Sequence, residues 1–323
     1  MKTILVVGGA GYIGSHMVKI LIRAGYQVVI LDNLATGYRD AISGGDFVFG
    51  DTADKLSLDR LLSGYSIDGI MHFASFIQVG ESVQHPSKYY QNNVAATLNL
   101  LDAMVAHRIP ALIFSSSAAI FGEPAYTPID EQHPKQPINP YGLSKWMVEQ
   151  VLADYDQAYG LKSVCLRYFN AAGADPEGQL GERHEPETHL IPLVLQAASG
   201  RRQAITVFGQ DYDTPDGTCI RDYIHINDLC QAHLLALEYL FQGGSSTAYN
   251  LGNGSGFSVT EVIEVAKQIT NRPITVIMGE RREGDPARLV ADSQQIQTQL
   301  GWQPQYADLA TIIAHAWQWE TRT

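Results

Sequence analysis

The chain predicts a doubly wound α/β fold, on three observations. Short β-branched runs at Thr3–Val7, Val28–Leu31, Phe47–Phe49, Gly69–His72, Leu112–Ser115 and Ser163–Leu166 have the near-continuous apolar character of strands buried on both faces. Segments of helical spacing alternate with several of them. The connections are short, so the repetition reads as strand–helix–strand units around a parallel sheet.

In order, Thr3–Val7 runs into Gly8-Gly9 and a helix on which Ile13, Met17, Ile20 and Leu21 share a face, stopping near Gly25, a residue suited to a C-cap. The strand Val28–Leu31 ends at Asp32, and Phe47–Phe49 leads to Gly50-Asp51. A long helix from about Ser87 to His107 puts Val94, Leu98, Leu101 and Val105 on one face. Leu112–Ser115 runs into Ser116-Ser117. A further helix starts just after Pro140 and carries Met147, Val148, Val151 and Leu152. After Gly173 the alternation breaks. Gly, Pro and Glu crowd Ala174–Glu187, and mixed elements at irregular spacing follow, read here as a smaller α+β lobe. The expected boundaries are 1–173 for a nucleotide-binding domain and 174–323 for a substrate domain, with some later segments returning to the sheet.

The length of 323 residues suits two such lobes, since an average domain takes roughly 100–200. With 22 Lys and Arg against 34 Asp and Glu, the net charge is −12, and no Lys/Arg-rich stretch appears, which argues against a nucleic-acid partner. The pairs Arg201-Arg202 and Arg281-Arg282 suffice for one small phosphorylated ligand. Cys165, Cys219 and Cys230 are an odd, widely spaced set, unlike a disulfide framework and suited to a reducing cytosol. The apolar start stops at Gly8-Gly9, too short for a signal segment, and no run of about 20 apolar residues exists. A cytoplasmic protein without a membrane partner is expected.

Gly8, Gly11 and Gly14 form G-x-x-G-x-x-G between the first strand and the first helix. Glycine there lets backbone N–H groups approach a pyrophosphate, and the helix N-terminus faces its charge. Asp32 ends the second strand, 18 residues past Gly14, where a carboxylate accepts hydrogen bonds from an adenosine ribose and repels a 2′-phosphate. Together these point to NAD rather than NADP. Tyr141 and Lys145, four apart, share a helix face, and Ser115-Ser116-Ser117 ends a strand of the same sheet. A tyrosine with pKa near 10 is a poor base at neutral pH. A neighbouring ammonium and a nicotinium charge would lower that value, and a serine hydroxyl would bond the same substrate oxygen.

Gly8–Gly14, Asp32-Asn33, Gly50-Asp51, Ser117 and Tyr141–Lys145 resemble the extended short-chain dehydrogenase/reductase family, whose fold is Rossmann-type. His72-Phe73-Ala74, Val79–Val83, Tyr89–Asn93, Tyr168-Phe169-Asn170, Leu190-Ile191-Pro192, Phe208-Gly209, Asp216–Thr218, Arg221–His225 and Arg282-Glu283-Gly284-Asp285 narrow the resemblance to its UDP-glucose 4-epimerase branch, in order from Lys2 to about Trp302. The resemblance implies reversible 4-epimerisation of UDP-glucose and UDP-galactose. Hydride passes from C4 to tightly bound NAD, the 4-keto sugar turns about its diphosphate, and hydride returns to the other face. It assigns Tyr141 as the base, Lys145 to the nicotinamide ribose and Ser117 to the 4-oxygen. Gly8, Gly11, Tyr12, Ile13, Gly14, Asp32, Asn33, Asp51, Thr52, Phe73, Ala74, Asn92 and Phe169 would hold the cofactor. Asn170, His189, Leu190, Phe208, Arg221, Arg282 and Asp285 would hold the UDP. Leu289 matches the position flanking the hexose C2 substituent, where leucine is expected to disfavour N-acetylated sugars. His189 stands where some members have Asn. Ile77 replaces a lysine that others present to the cofactor.

The resemblance also implies a homodimer, with the helices Ser87–His107 and after Pro140 pairing with a second copy. A 4,6-dehydratase needs an Asp-Glu pair after the active-site hydroxyl, where Ala118-Ala119 stand here, so the acid and base for elimination are missing. UDP-glucuronate and UDP-N-acetylglucosamine 4-epimerases stay open as alternatives, and a non-catalytic NAD-sensing scaffold would not need the Ser–Tyr–Lys set. His16, His107 and His315 lack ligand spacing. No carboxylate–histidine cluster is read as having metal geometry, so no metal is expected.

Overall fold

The computed structural model describes residues 1–282 and 285–322. A seven-stranded sheet runs in the order Thr247–Leu251, Lys162–Tyr168, Ala111–Ser115, Gly69–His72, Thr3–Val7, Gln27–Asp32, Asp46–Phe49. The six strands from Thr3 to Tyr168 pair in parallel. The chain order reverses between Thr3–Val7 and Gly69–His72, the switch point at which a doubly wound sheet opens a crevice beyond its strand carboxyl ends. The expected strands are all present, within two residues at each end. Ile4, Leu5, Val6, Ile30, Ile70, Leu112 and Ile113 are fully buried, as strands covered on both faces require.

The chain divides into two compact units. The first comprises Met1–Gly122, Lys135–Arg167 and Cys230–Tyr249, and the second Glu123–Pro134, Tyr168–Leu229 and Asn250–Thr323. In the second, the helices Leu190–Ser199, Val259–Thr270 and Leu309–Glu320 share a core built on Val194, Leu195, Ile205, Val262, Ile263, Ile312 and Ile313. Among the described residues no helix is long and apolar enough to cross a membrane.

The long helix differs from its expected form. Pro86–Tyr89 and Ala96–Ala106 are α-helical, but Tyr90–Ala95 between them is π-helical, with one extra residue per turn. Its buried face is Asn93, Ala96, Thr97, Leu100, Leu101 and Met104, while Val94, Leu98 and Val105 are half-buried. The polar pair earns its place by hydrogen bonding. The Asn93 amide accepts from Phe76 N (3.0 Å) and donates to Phe76 O (3.0 Å) and Ser144 Oγ (3.1 Å). Thr97 Oγ1 donates to Asn93 O at 2.8 Å and lies 2.9 Å from His72 Nε2. Apolar spacing alone therefore selects the wrong stripe. The helix Pro140–Tyr159 repeats the point: Val148 and Leu152 are buried, Val151 is half-buried and Met147 is exposed, because Lys145 and Glu149 take the inner positions.

Candidate active site

In the first unit the glycine loop sits at the switch point. Gly8 has φ +82°, and a Cβ there would lie 2.6 Å from Ala74 N. Phe73 N and Ala74 N both donate to Val7 O, at 2.8 and 3.2 Å, which fixes this close approach. A Cβ on Gly14 would stand 2.1 Å from Gly8 O, whereas one on Gly11 would meet only Gly8 O, at 3.4 Å. The loop is thus closed on the sheet side and open at Gly11, where the first helix (Tyr12–Arg23) begins. Tyr12 packs edge-on to His16, and the Ile13 carbonyl accepts from Cys230 Sγ at 3.8 Å.

Asp32, 7% exposed, accepts from Ala10 N (2.9 Å) and Leu34 N (2.8 Å). A carboxylate has about four lone-pair sites, so capacity for two hydroxyl donors is left. Asn33 Nδ2 donates to Asp51 at 2.7 Å, joining the ends of neighbouring strands, and Thr52 O accepts from Asn99 Nδ2 at 3.3 Å. Phe73 packs against the His233 ring at 5.0 Å, and Asn92 Nδ2 donates to Asn93 at 2.9 Å. Glycines a side chain would block and an acid with spare acceptor capacity fit a dinucleotide.

Ser117, Tyr141 and Lys145 come together. Asn139 caps the helix Pro140–Tyr159 through Gly142 N at 2.8 Å, and Pro140 opens it with φ already set. Lys145 is 2% exposed, and its Nζ donates to Ser75 Oγ (2.6 Å) and Ser115 O (2.8 Å). Burial lowers it to about 7, with the Glu149 charge opposing. Burial raises Tyr141, and its hydrogen bond with Ser117 pulls the other way. With these side chains alone burial dominates at Tyr141, so the lowering expected from sequence rests on the nicotinium charge together with the ammonium. Glu149, one turn after Lys145, was not singled out from sequence. It accepts from Ser116 Oγ at 2.5 Å and from Arg167 through two nitrogens, all buried, tying the serine strand end to the helix. Its i+4 spacing from Lys145 was the available signal.

The second unit holds a cavity of about 320 Å³, near the low end of ligand pockets at roughly 300–1,000 Å³. Asn170, His189, Leu190, Phe208, Arg221, Arg282 and Asp285 all line it. Asn170 donates twice to Asp222 O, at 3.1 and 2.9 Å. Arg221 donates to Ile220 O and Pro286 O, both at 2.9 Å, and pairs with Asp285. The Arg282 guanidinium lies 4.0 Å over the Phe208 ring. Each arginine pair splits its duties: Arg201 is tied to Glu320 and Arg281 to Asp211, while Arg202 and Arg282 face the cavity. Leu289 is outside its wall; four residues past Asp285 the chain has become a strand beside Ile220–Arg221. Phe169 is half-buried between two strands, and Glu283 and Gly284 lie outside the described residues.

One expectation is corrected. Glu182, His184, Glu187 and His189 bring one ligand atom each to within 4.8 Å of one another, a carboxylate–histidine cluster that the sequence reading denied. The available signal was the doubled Glu-x-His at 182–184 and 187–189. His315, by contrast, meets His225, with Nδ1 3.0 Å from Nε2.

A family model described as "NAD dependent epimerase/dehydratase family" matches residues 4–252. A UDP-glucose 4-epimerase of Halalkalibacterium halodurans is 53% identical over 316 residues, 98% of this chain and 95% of its own. The UDP-glucose 4-epimerase of Brucella ovis, solved in complex with NAD, superposes with a TM-score of 0.96 at 50% identity, covering 98% of each chain. That of Bifidobacterium longum, solved with NAD+ and UDP, gives 0.94 at 37% identity over 99% of this chain and 98% of its own. A match over most of the length, to a sheet with this glycine loop and this Ser–Tyr–Lys set, makes the chain a member of the NAD dependent epimerase/dehydratase family.

Proposed function

We propose that the protein interconverts UDP-glucose and UDP-galactose by transient oxidation at sugar C4. The observation that carries the reading is the Ser117–Tyr141 hydrogen bond beside a buried Lys145 at the carboxyl end of a parallel sheet. The Gly8–Gly14 loop, Asp32, Asn33, Asp51 and Phe73 would hold NAD. When bound, NAD supplies the acceptor for the C4 hydride, its return, and a positive charge. Tyr141 Oη takes the proton of the 4-hydroxyl and gives it back, while Ser117 Oγ orients that oxygen. Burial works against the phenolate, so the base form depends on positive charge nearby. Lys145 supplies it when protonated, and Glu149 one turn away favours that state.

Arg221 and Arg282 are the groups for the diphosphate. Arg221 is held in place before ligand arrives, so less side-chain freedom is lost on binding. The half-buried Val94, Leu98 and Val105 and the exposed Met147 and Tyr159 form the face for a second copy, giving a cytoplasmic homodimer. Met147→Glu should then lower the sedimentation coefficient toward that of a single chain. The deciding experiment is a coupled assay for UDP-glucose formed from UDP-galactose without added NAD. Absence of product, with turnover of UDP-glucuronate or UDP-N-acetylglucosamine instead, would overturn the substrate assignment.

A further inference from the structure

We propose that Glu182, His184, Glu187 and His189 form a binding site for one divalent transition-metal ion of the zinc class. Four donors about 2.0–2.1 Å from a tetrahedral centre stand roughly 3.3–3.4 Å apart. Here His184 Nδ1 is 3.3 Å from Glu182 Oε1 and 3.5 Å from Glu187 Oε2, and His189 Nδ1 is 3.3 Å from Glu187 Oε1. The two separations at His184 thus already match a metal-centred tetrahedron, while Glu187 Oε1 accepts from Thr188 N (2.7 Å) and His189 N (2.9 Å) and leaves Oε2 as the ligand. The remaining separation, His189 Nδ1 to Glu182 Oε1, is 2.6 Å, yet neither atom has an aligned hydrogen-bond partner among the described residues. The Glu182 and Glu187 side chains are only 6% and 5% exposed, so a carboxylate oxygen is aimed into the cluster without a proper donor.

The donor set selects the ion. Two imidazoles and two carboxylates suit zinc and its neighbours, whereas calcium and magnesium take oxygen ligands throughout. Two buried carboxylates also call for two positive charges. A dication bound by neutral imidazoles meets that requirement, and adds four directional bonds.

The site sits where occupancy has an effect. His189 is the N-cap residue of the helix Leu190–Ser199, and Glu182 and His189 belong to the cavity wall. Glu182 O is itself fixed by the Trp319 indole N–H at 3.1 Å. The ion would tie both ends of the segment 182–189 and steady one wall of the nucleotide cavity, with no part in hydride transfer.

The test uses the untagged full-length protein, stripped with a chelator and dialysed. Calorimetric titration with ZnCl2 should give one saturable site per chain, and CoCl2 should give the intense visible absorption of a four-coordinate ion. His184→Ala and the nearly isosteric Glu187→Gln should each weaken zinc binding at least about 100-fold, since loss of outer-shell partners alone costs about 10–100-fold. No saturable zinc site in the wild type would overturn the proposal. Zinc affinity unchanged in both variants, with folding verified by circular dichroism, would overturn it equally.

Discussion

Lys145 and Tyr141 show how burial sets chemistry side chain by side chain. Burial lowers the lysine to about 7 and raises the tyrosine, opposite directions from one cause, because each loses its charged form. Tyr141→Phe removes the base with little change in volume. Turnover should fall about 10²–10⁴-fold with UDP binding kept, as read by single-turnover kinetics beside a UDP titration. Near-normal turnover would put the proton elsewhere. His72 tells a second story. It is fully buried, its Nε2 sits 2.9 Å from Thr97 Oγ1, and burial, then the Lys145 charge, push it down to about 3. An unfolded histidine takes a proton near 6.5. Between those values the unfolded chain binds more protons, so stability rises with pH there. It is fully present above about 6.5 and lost as the pH falls toward 3, at about 1.4 kcal/mol per pH unit from this residue. Urea titrations of wild type and His72→Asn at several acidic pH values should differ in slope by one proton; equal slopes would refute it.

Among the elements, glycines in helices separate local preference from packing. Gly14 and Gly64 both lie in helices, where alanine is intrinsically favoured by about 1 kcal/mol. A Cβ at Gly64 meets nothing within 4 Å, while one at Gly14 meets Gly8 O at 2.1 Å. Gly64→Ala should therefore be neutral or stabilising, and Gly14→Ala should cost about 1–3 kcal/mol and shed cofactor. Denaturation midpoints and absorbance at the nicotinamide band measure both. Equal effects from the two would mean that the loop yields without cost. The same contrast explains what could be read beforehand. Strands covered on both faces declare themselves by composition, so Thr3–Val7 and Gly69–His72 were legible to the residue. Helix faces were not, because Asn93, Thr97, Lys145 and Glu149 are buried by hydrogen bonds and an ion pair, which apolar spacing does not count. The π-helical turn at Tyr90–Ala95 was invisible for the same reason. The Glu182–His189 cluster is carried by a loop, where periodicity is silent.

For the whole molecule, NAD should survive purification, because a cofactor regenerated in each cycle has no need to leave. Denaturing the protein and assaying the supernatant should give about one NAD per chain, and Asp32→Ala should lower that content. NADP as the main species would refute the reading of Asp32. A bound cofactor also raises the unfolding temperature by mass action, so the variant should melt earlier. Finally, the two compact units are made of six segments, and the chain passes from one to the other five times. A growing polypeptide leaves the ribosome from its N-terminus. The segment Cys230–Tyr249, which the first unit needs, emerges only after three-quarters of the chain has been made. The nascent sheet must wait, edge uncovered, while half of the other unit is synthesised. No single cut in the gene therefore yields either unit whole.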